Sequence, residues 1–296
     1  QPAARSPNGG YRPCPAPMKS VRKVTRKLRR RRKALLRHYD SEELHQLRVA
    51  IRRIRGLLKQ RTGHEPRAIR KGLGKLARHT NAARDWDTFA RYALQTLDEA
   101  GGRAVRPLLQ RQLAAAHDEA LQMLASDEWS TVLCQWKRYL KQEGEKSFSP
   151  SSATGDLGAV RATAAAAKNQ ALASGDDRDW HAFRIAVKDL RYNLDTVAPE
   201  EQAARRQVKA AIKLCKKLQD DLGDWHDTVV HRGLLAQLAA MPEAAGDEGV
   251  ARAVDALGCA IRARGEACLD SAVKTLAGKP ELLEPDTGQE SSWDRR

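Results

Sequence analysis

Apolar residues recur along most of the chain at intervals of three and four, which is the period of helices that pack one face against a core. No segment shows the sustained alternation of apolar and polar residues that is typical of strands. The pattern therefore predicts an all-α fold. The predicted helices lie near residues 19–38, 41–60, 66–98, 103–125, 128–142, 157–174, 177–197, 201–220, 225–240 and 247–277.

A polar stretch rich in Ser, Gly and Pro, from Gly144 to Gly155, divides this helical pattern into two halves. The first residues of the chain hold no apolar block, so they do not resemble a signal peptide, and their origin is left open. The expected organisation is a disordered leader over 1–18, a first helical bundle over 19–142, a linker over 143–156, a second helical bundle over 157–279 and a disordered tail over 280–296.

The two halves share two motifs in the same order. The segment HQLRVAIRRIR at 45–55 matches HAFRIAVKDLR at 181–191, with the histidine, three basic positions and every apolar position in common. The segment RDWDT at 84–88 recurs as DWHDT at 224–228. We interpret this as an internal duplication, which predicts two four-helix bundles related by a pseudo-twofold axis.

Positive charge is concentrated in the first part of the chain. The net charge is +16, but residues 19–80 alone hold 22 Lys and Arg against four acidic residues, and the rest of the chain is nearly neutral. A local positive field attracts polyanions. The charge distribution thus predicts a partner such as a phosphate polymer.

The repeated motif places its basic residues in a row along one helix face. At 100° per residue, His45, Arg48, Arg52 and Arg55 lie within about 80° of one another, and the apolar residues gather on a different face. Such a row is about 15 Å long. Like charges at this spacing destabilise a helix, so we interpret the row as a series of Arg forks that bind phosphate oxygens. The second half repeats this row in His181, Arg184, Lys188 and Arg191.

Further basic residues lie on neighbouring predicted helices, where they could form the walls of a groove or remain a solvated face. A secondary binding set is predicted from the first helix and from the third helix of each half: Arg22, Arg26, Arg30, Lys33, Lys75, Arg78, Lys213 and Lys217. The Asp-Trp elements are interpreted as structural, with Trp86 and Trp225 in the bundle cores.

Other features exclude several classes of protein. Five scattered cysteines without a CxxC pair make disulfides or a structural zinc unexpected and favour a reducing compartment. No apolar run approaches the roughly 18 residues that a membrane span needs. No metal site, cofactor or Gly-rich phosphate loop is predicted.

The two histidine-and-arginine motifs, each followed by an Asp-Trp element, resemble the CHAD family, the conserved histidine alpha-helical domain, over roughly residues 19–279. The resemblance implies two pseudo-symmetric four-helix bundles whose basic residues line a central groove or pore. It also implies non-catalytic binding of inorganic polyphosphate, in the cytoplasm and in association with polyphosphate granules. The residues to which the motif assigns binding are His45, Arg48, Arg52, Arg55, His181, Arg184, Lys188 and Arg191, and Arg53 is added to them although Asp189 stands at its counterpart.

Three alternatives remain open at this point. A nucleic-acid-binding protein would also carry basic helices, although no Trp lies within residues 19–80 and no groove-reading motif is present. A metal-dependent phosphohydrolase could use the His-Asp doublets at 117–118 and 226–227, but the surrounding arginines would repel a divalent cation. A scaffold that recruits proteins to granules is compatible with polyanion binding.

Overall fold

Ten α-helices and one short 3₁₀ turn form the described part of the chain, and no strand occurs in that part. The computed structural model describes residues 18–59, 61–143, 157–195 and 202–278. The predicted all-α class is therefore confirmed. The predicted leader up to residue 17, the linker after Glu143 and the tail lie outside the described residues.

The helices follow the predicted order with two differences, described below. They are α1 (Met18–Leu35), α2 (Ser41–Lys59), α3 (His64–His79), α4 (Asn81–Thr96), α5 (Glu99–Ala125), α6 (Asp127–Glu143), α7 (Leu157–Ser174), α8 (Asp177–Leu194), α9 (Gln202–Ala239) and α10 (Glu248–Ala277), with the 3₁₀ turn Pro242–Ala244 between the last two.

A corner at Thr80 divides the helix that the sequence predicts over 66–98. Thr80 adopts φ −98° and ψ 3°, and both its amide and its hydroxyl donate to the carbonyl of Ala77, at 3.2 and 2.8 Å. The Thr80 side chain is fully buried, so the corner belongs to the packed interior. Apolar spacing does not detect it, because Leu76 and Ala83 keep a helical interval across the break.

Helix α9 continues through the position where the sequence predicts an interruption between 220 and 225. Its 38 residues span about 57 Å. Helix α10 packs along it closely: a Cβ atom at Gly265 would lie 3.0 Å from Oγ1 of Thr228. These contacts support the helix through Gly223, where a single glycine costs only about 1 kcal/mol.

Two hydrophobic cores share the α9–α10 hairpin. The first core is formed by α1 to α6 with the C-terminal part of α9 and the N-terminal part of α10, and it buries Phe89, Trp129 and Trp136 completely. The second core is formed by α7 and α8 with the other ends of α9 and α10. Each large apolar side chain buried in this way contributes about 1.5–3 kcal/mol. The second core is thus a four-helix bundle, and the hairpin connects it to the first; the duplication itself stays a prediction.

The acidic helix starts predicted from the sequence differ in detail. Asp40 precedes α2, and its carboxylate accepts a hydrogen bond from the amide of Glu43 at 2.7 Å, as expected for a helix cap. Asp176 precedes α8 without such a bond. None of the described helices is both long and apolar enough to span a bilayer.

Candidate anion-binding site

The predicted basic row of α2 lies beside the helix face that packs into the first core. Leu47, Ile51 and Ile54 are fully buried, while Arg52 is exposed and Arg55 is half-buried. The flank that carries the row therefore borders both the protein interior and the solvent. This placement lets the protein hold the arginine stems while their guanidinium groups reach a ligand.

Arg48 is the member of this row with a structural role. Its Nη1 atom donates to the carbonyl of Ala77 at 2.9 Å, to Oγ1 of Thr80 at 2.8 Å and to Oδ1 of Asn81 at 2.8 Å. A cation at the carboxyl end of α3 is also favoured by the helix dipole. Arg48 thus fixes the corner between α3 and α4.

Arg55 extends from α2 across α3. A Cβ atom at Gly74 would lie 3.2 Å from Nη2 of Arg55, so the guanidinium group rests where a larger residue would stand. The Nε atom of Arg55 is buried and has no hydrogen-bond partner. Lys71 and Arg78 follow on the same side of α3, three residues before and four after Gly74. The α2 row therefore continues onto α3.

The second row lies on α8 and contacts α9. The rings of His181 and His226 are 4.8 Å apart, centroid to centroid, and the buried Nδ1 atom of His181 has no hydrogen-bond partner. Arg191 lies 4.8 Å from the ring centroid of Tyr192 and 3.7 Å from Asp195, and its buried Nε atom is also without a partner.

The two rows meet across α4 and α9. Partial burial lowers the pKa of Arg52, whereas Tyr192 of α8 raises it. Burial raises the pKa of Asp85 on α4; the neighbouring Arg48 lowers it and Asp227 of α9 raises it. Partial burial raises the pKa of Asp227, and the neighbouring charge of Asp224 raises it too, although the Asp227 side chain still contacts solvent. The ionisable groups of both halves are thus close enough to influence one another.

Arg84 lies at the centre of this arrangement and was missed by the sequence analysis. It affects the pKa of His45, Arg52, Asp85 and Asp227, which places its charge close to both halves. It is half-buried. The RDWDT motif could have identified Arg84, because this arginine is its first residue, but the motif was interpreted as structural only.

Arg264 of α10 is a second residue that the sequence did not single out. It lies 3.6 Å from Asp224 and 5.5 Å from the ring centroid of Tyr92. Asp224 of α9 therefore pairs with α10. No periodic signal marks Arg264, because only the tertiary fold brings α10 to this place.

The pKa values of His45 and His226 lie below the ordinary value of a histidine. Burial, followed by the charges of Arg184 and His181, lowers the pKa of His226 to about 4. Burial also lowers the pKa of His45, as does the charge of Arg84.

Most basic residues of the two rows have no partner within the described part of the protein. Among the described residues, no hydrogen bond or ion pair is made by the side chains of Arg52, Arg53, Arg55, Arg84, Arg184 or Lys188. In contrast, Arg31 pairs with Glu43 and Arg232 with Asp177. We call the two rows together with Arg84 the central basic cluster. Its donors are available to an external anion.

Arg53 and the predicted secondary residues lie in varied positions. Arg53 is exposed, about 100° around α2 from Arg52. Lys75 pairs with Glu128 at 2.9 Å, and Lys217 contacts Asp221 at 2.6 Å and Ser271 at 3.2 Å. Arg78 continues the row as described above. The remaining secondary residues are exposed. On α1, on the face opposite its buried apolar residues, they are Arg22, Arg26, Arg30 and Lys33, and on α9 the residue is Lys213.

A buried polar cluster near the site accounts for one of the His-Asp doublets. Asp87 accepts a hydrogen bond from the Tyr39 hydroxyl at 2.7 Å and lies 2.8 Å from Nε2 of His117. The Tyr39 and His117 rings stack at 3.6 Å. This cluster joins the α1–α2 connection to α4 and α5. No group of three or more His, Cys, Asp or Glu within the described ranges is arranged to hold a metal ion.

Comparison with known proteins identifies the family. Residues 19–236 match the family model of the CHAD domain, which covers well over half of the chain. This chain belongs to the CHAD family. The central basic cluster lies within the matched CHAD segment, and its neighbour Arg264 on α10 lies beyond that segment. Comparison with curated proteins found no significant match.

Two solved structures share the fold. The crystal structure of the CHAD domain from the plant Ricinus communis has a TM-score of 0.61 and 23% sequence identity, and the match covers 90% of each chain. PptA from Streptomyces chartreusis has a TM-score of 0.56 and 18% identity, and the match covers 88% of this chain and 97% of that one. At these identities the likeness establishes the CHAD fold alone.

Proposed function

We propose that this CHAD protein binds inorganic polyphosphate without cleaving it, through the central basic cluster. The observation that carries the proposal is the lack of internal partners for these cations. Arg52, Arg55 and Arg184 make no hydrogen bond or ion pair with the described residues, and Arg84 adds a positive charge close to groups of both halves. A polyanion would supply the missing negative charge through charge-assisted hydrogen bonds.

The partial burial of the cluster supports the same proposal. Burial lowers the pKa of Arg48 and of Arg52, as expected for guanidinium groups that are partly shielded from water. Coulomb attraction to an anion is stronger where water is excluded. A linear polymer of phosphates suits the cluster, because one chain can contact the α2 row and the α8 row together.

A binding experiment with a matched control tests this proposal. Isothermal titration with polyphosphates of defined length compares the wild type with Arg52→Ala/Arg55→Ala and with Arg106→Ala/Lys137→Ala. Both double variants remove two charges, but Arg106 and Lys137 are exposed residues of α5 and α6, outside the cluster. We expect the first variant to lose about tenfold or more in affinity and the second to lose about twofold or less, because only the first removes direct phosphate contacts.

Competition with single-stranded DNA separates this proposal from nucleic-acid binding. The two polymers are compared at equal charge concentration and at several salt concentrations. A clear preference for polyphosphate is expected. Equal affinities with equal salt dependence, or equal losses in the two double variants, would contradict the proposal.

Two further measurements test the absence of catalysis and the place of action. Incubation of the protein with polyphosphate and Mg²⁺ or Mn²⁺ should release no phosphate, and release would show an enzyme. We also infer that the protein associates with polyphosphate granules in the cytoplasm. A fluorescent fusion should colocalise with granules, and Arg52→Ala/Arg55→Ala should disperse it.

A further inference from the structure

Tyr192 is an unusual aromatic residue in this fold because its side chain faces solvent beside the central basic cluster. It is 53% exposed, whereas Trp86 and Trp225 are buried in the two cores. The guanidinium carbon of Arg191 lies 4.8 Å from the centroid of its ring. One face of the ring thus contacts a cation, and the exposure leaves room on the other.

The ring also lies near the α2 row. Tyr192 is close enough to Arg52 to raise its pKa against the effect of burial. Arg52 itself is exposed and has no ion pair with a described residue. The aromatic ring therefore lies against Arg191 of the second half and near Arg52 of the first.

We propose that the open face of Tyr192 stacks a nucleobase, so that the central basic cluster also takes nucleoside polyphosphates. The inference rests on the proposed function, because Arg52 and its neighbours would bind the phosphates. Stacking on an aromatic ring is available to every base, since every base has a π face. The arginine on the opposite face of the ring keeps the phenol in place and adds a cation–π contact.

The test compares ligands that differ by the nucleoside alone. Tripolyphosphate, adenosine triphosphate and adenosine are titrated into the full chain without divalent cations, for the wild type, Tyr192→Leu and Tyr192→Phe. The wild type should bind adenosine triphosphate at least about fivefold more tightly than tripolyphosphate, although the nucleotide carries less charge. Tyr192→Leu should abolish this difference and leave tripolyphosphate affinity within about twofold, and Tyr192→Phe should retain it, because only the π face is needed.

The outcomes separate this inference from the proposed function. If tripolyphosphate binds and the nucleotide shows no advantage that depends on Tyr192, the nucleobase site is wrong and the polyphosphate proposal stands. If neither phosphate ligand binds, both are wrong. A melting temperature of Tyr192→Leu equal to that of the wild type shows that the variant is folded. Adenosine alone should bind weakly.

Discussion

The Arg55 guanidinium lies directly over the backbone of α3 at Gly74. A Cβ atom at that glycine would come within 3.2 Å of Nη2 and 3.3 Å of Cζ. The buried Nε atom of Arg55 has no hydrogen-bond partner, so packing against the glycine sets the position of the group. Gly74 therefore makes room for one of the arginines of the proposed binding surface.

Replacement of this glycine should affect stability and binding in opposite directions. Gly74→Ala favours the helical state by up to about 1 kcal/mol, because alanine has the higher helix propensity. The added methyl group displaces the flexible end of Arg55, and we expect polyphosphate affinity to fall by about twofold to fivefold through a weaker arginine contact. Urea unfolding and titration calorimetry measure the two effects. Unchanged affinity together with higher stability would show that Arg55 does not contact the ligand.

Arg48 should be needed for stability as well as for binding. Its Nη1 atom contacts Ala77, Thr80 and Asn81, and Arg48→Ala leaves the buried Thr80 corner without this donor. We expect a loss of about 1–3 kcal/mol in the free energy of unfolding. Chemical denaturation measures it, with Arg52→Ala as the control that should lose little stability. Equal stability of the two variants would contradict the structural role of Arg48.

Arg52 and Arg53 are adjacent in sequence but should differ in their effect on binding. Arg52 is close enough to Tyr192 of α8 for this residue to affect its pKa, while Arg53 points about 100° away around α2. The alanine variants remove the same charge from the same helix. Polyphosphate affinity should fall several-fold more in Arg52→Ala than in Arg53→Ala, because only Arg52 is placed for direct contact. A larger loss for Arg53→Ala would place the ligand on the outer face of α2.

Polyphosphate binding should be accompanied by proton uptake. In the free protein, burial and then Arg184 and His181 hold the pKa of His226 at about 4. A bound polyanion raises this pKa, so affinity should increase as the pH falls from neutrality towards the pKa of the free protein. Titration in two buffers with different ionisation enthalpies counts the protons. His226→Asn should take up fewer, and an unchanged number would assign the uptake to another group.

His231 should make the fold sensitive to acid. It is buried between Phe89 and Tyr92, and burial, followed by the charge of Arg264, lowers its pKa to about 4. Because the folded state disfavours the protonated form, its contribution is complete above the ordinary histidine pKa of roughly 6.5. It is lost as the pH falls from there to about 4, and the loss is at most about 3 kcal/mol.

The His231→Leu variant tests this prediction. Its unfolding free energy should depend less on pH in the acidic range than that of the wild type, because the leucine does not titrate. Urea denaturation at neutral pH and at several acidic values measures the dependence. An identical pH dependence in both proteins would show that His231 does not control acid stability.

Much of the local structure could be predicted because it depends on short-range regularities. The three-and-four interval of apolar residues predicted the helices and the separation of the α2 row from Leu47, Ile51 and Ile54, because side-chain direction in a helix follows from position alone. The motif pair also led to the CHAD family, which the family model confirms. The apolar interval did not predict that one helix ends and another begins at Thr80, because the period does not change there. It also did not predict that α9 continues through Gly223.

The sequence by itself determined the all-α class, the direction of the basic rows and the family. Only the tertiary structure decided which side chains lie together. Arg84 lies at the centre, Arg264 reaches the site from α10, His226 lies against His181, and Tyr192 lies near Arg52. It also showed that Arg48 holds the α3–α4 corner. The physical reason is that a helix fixes angles between neighbouring residues, while distances between helices depend on how their buried faces pack.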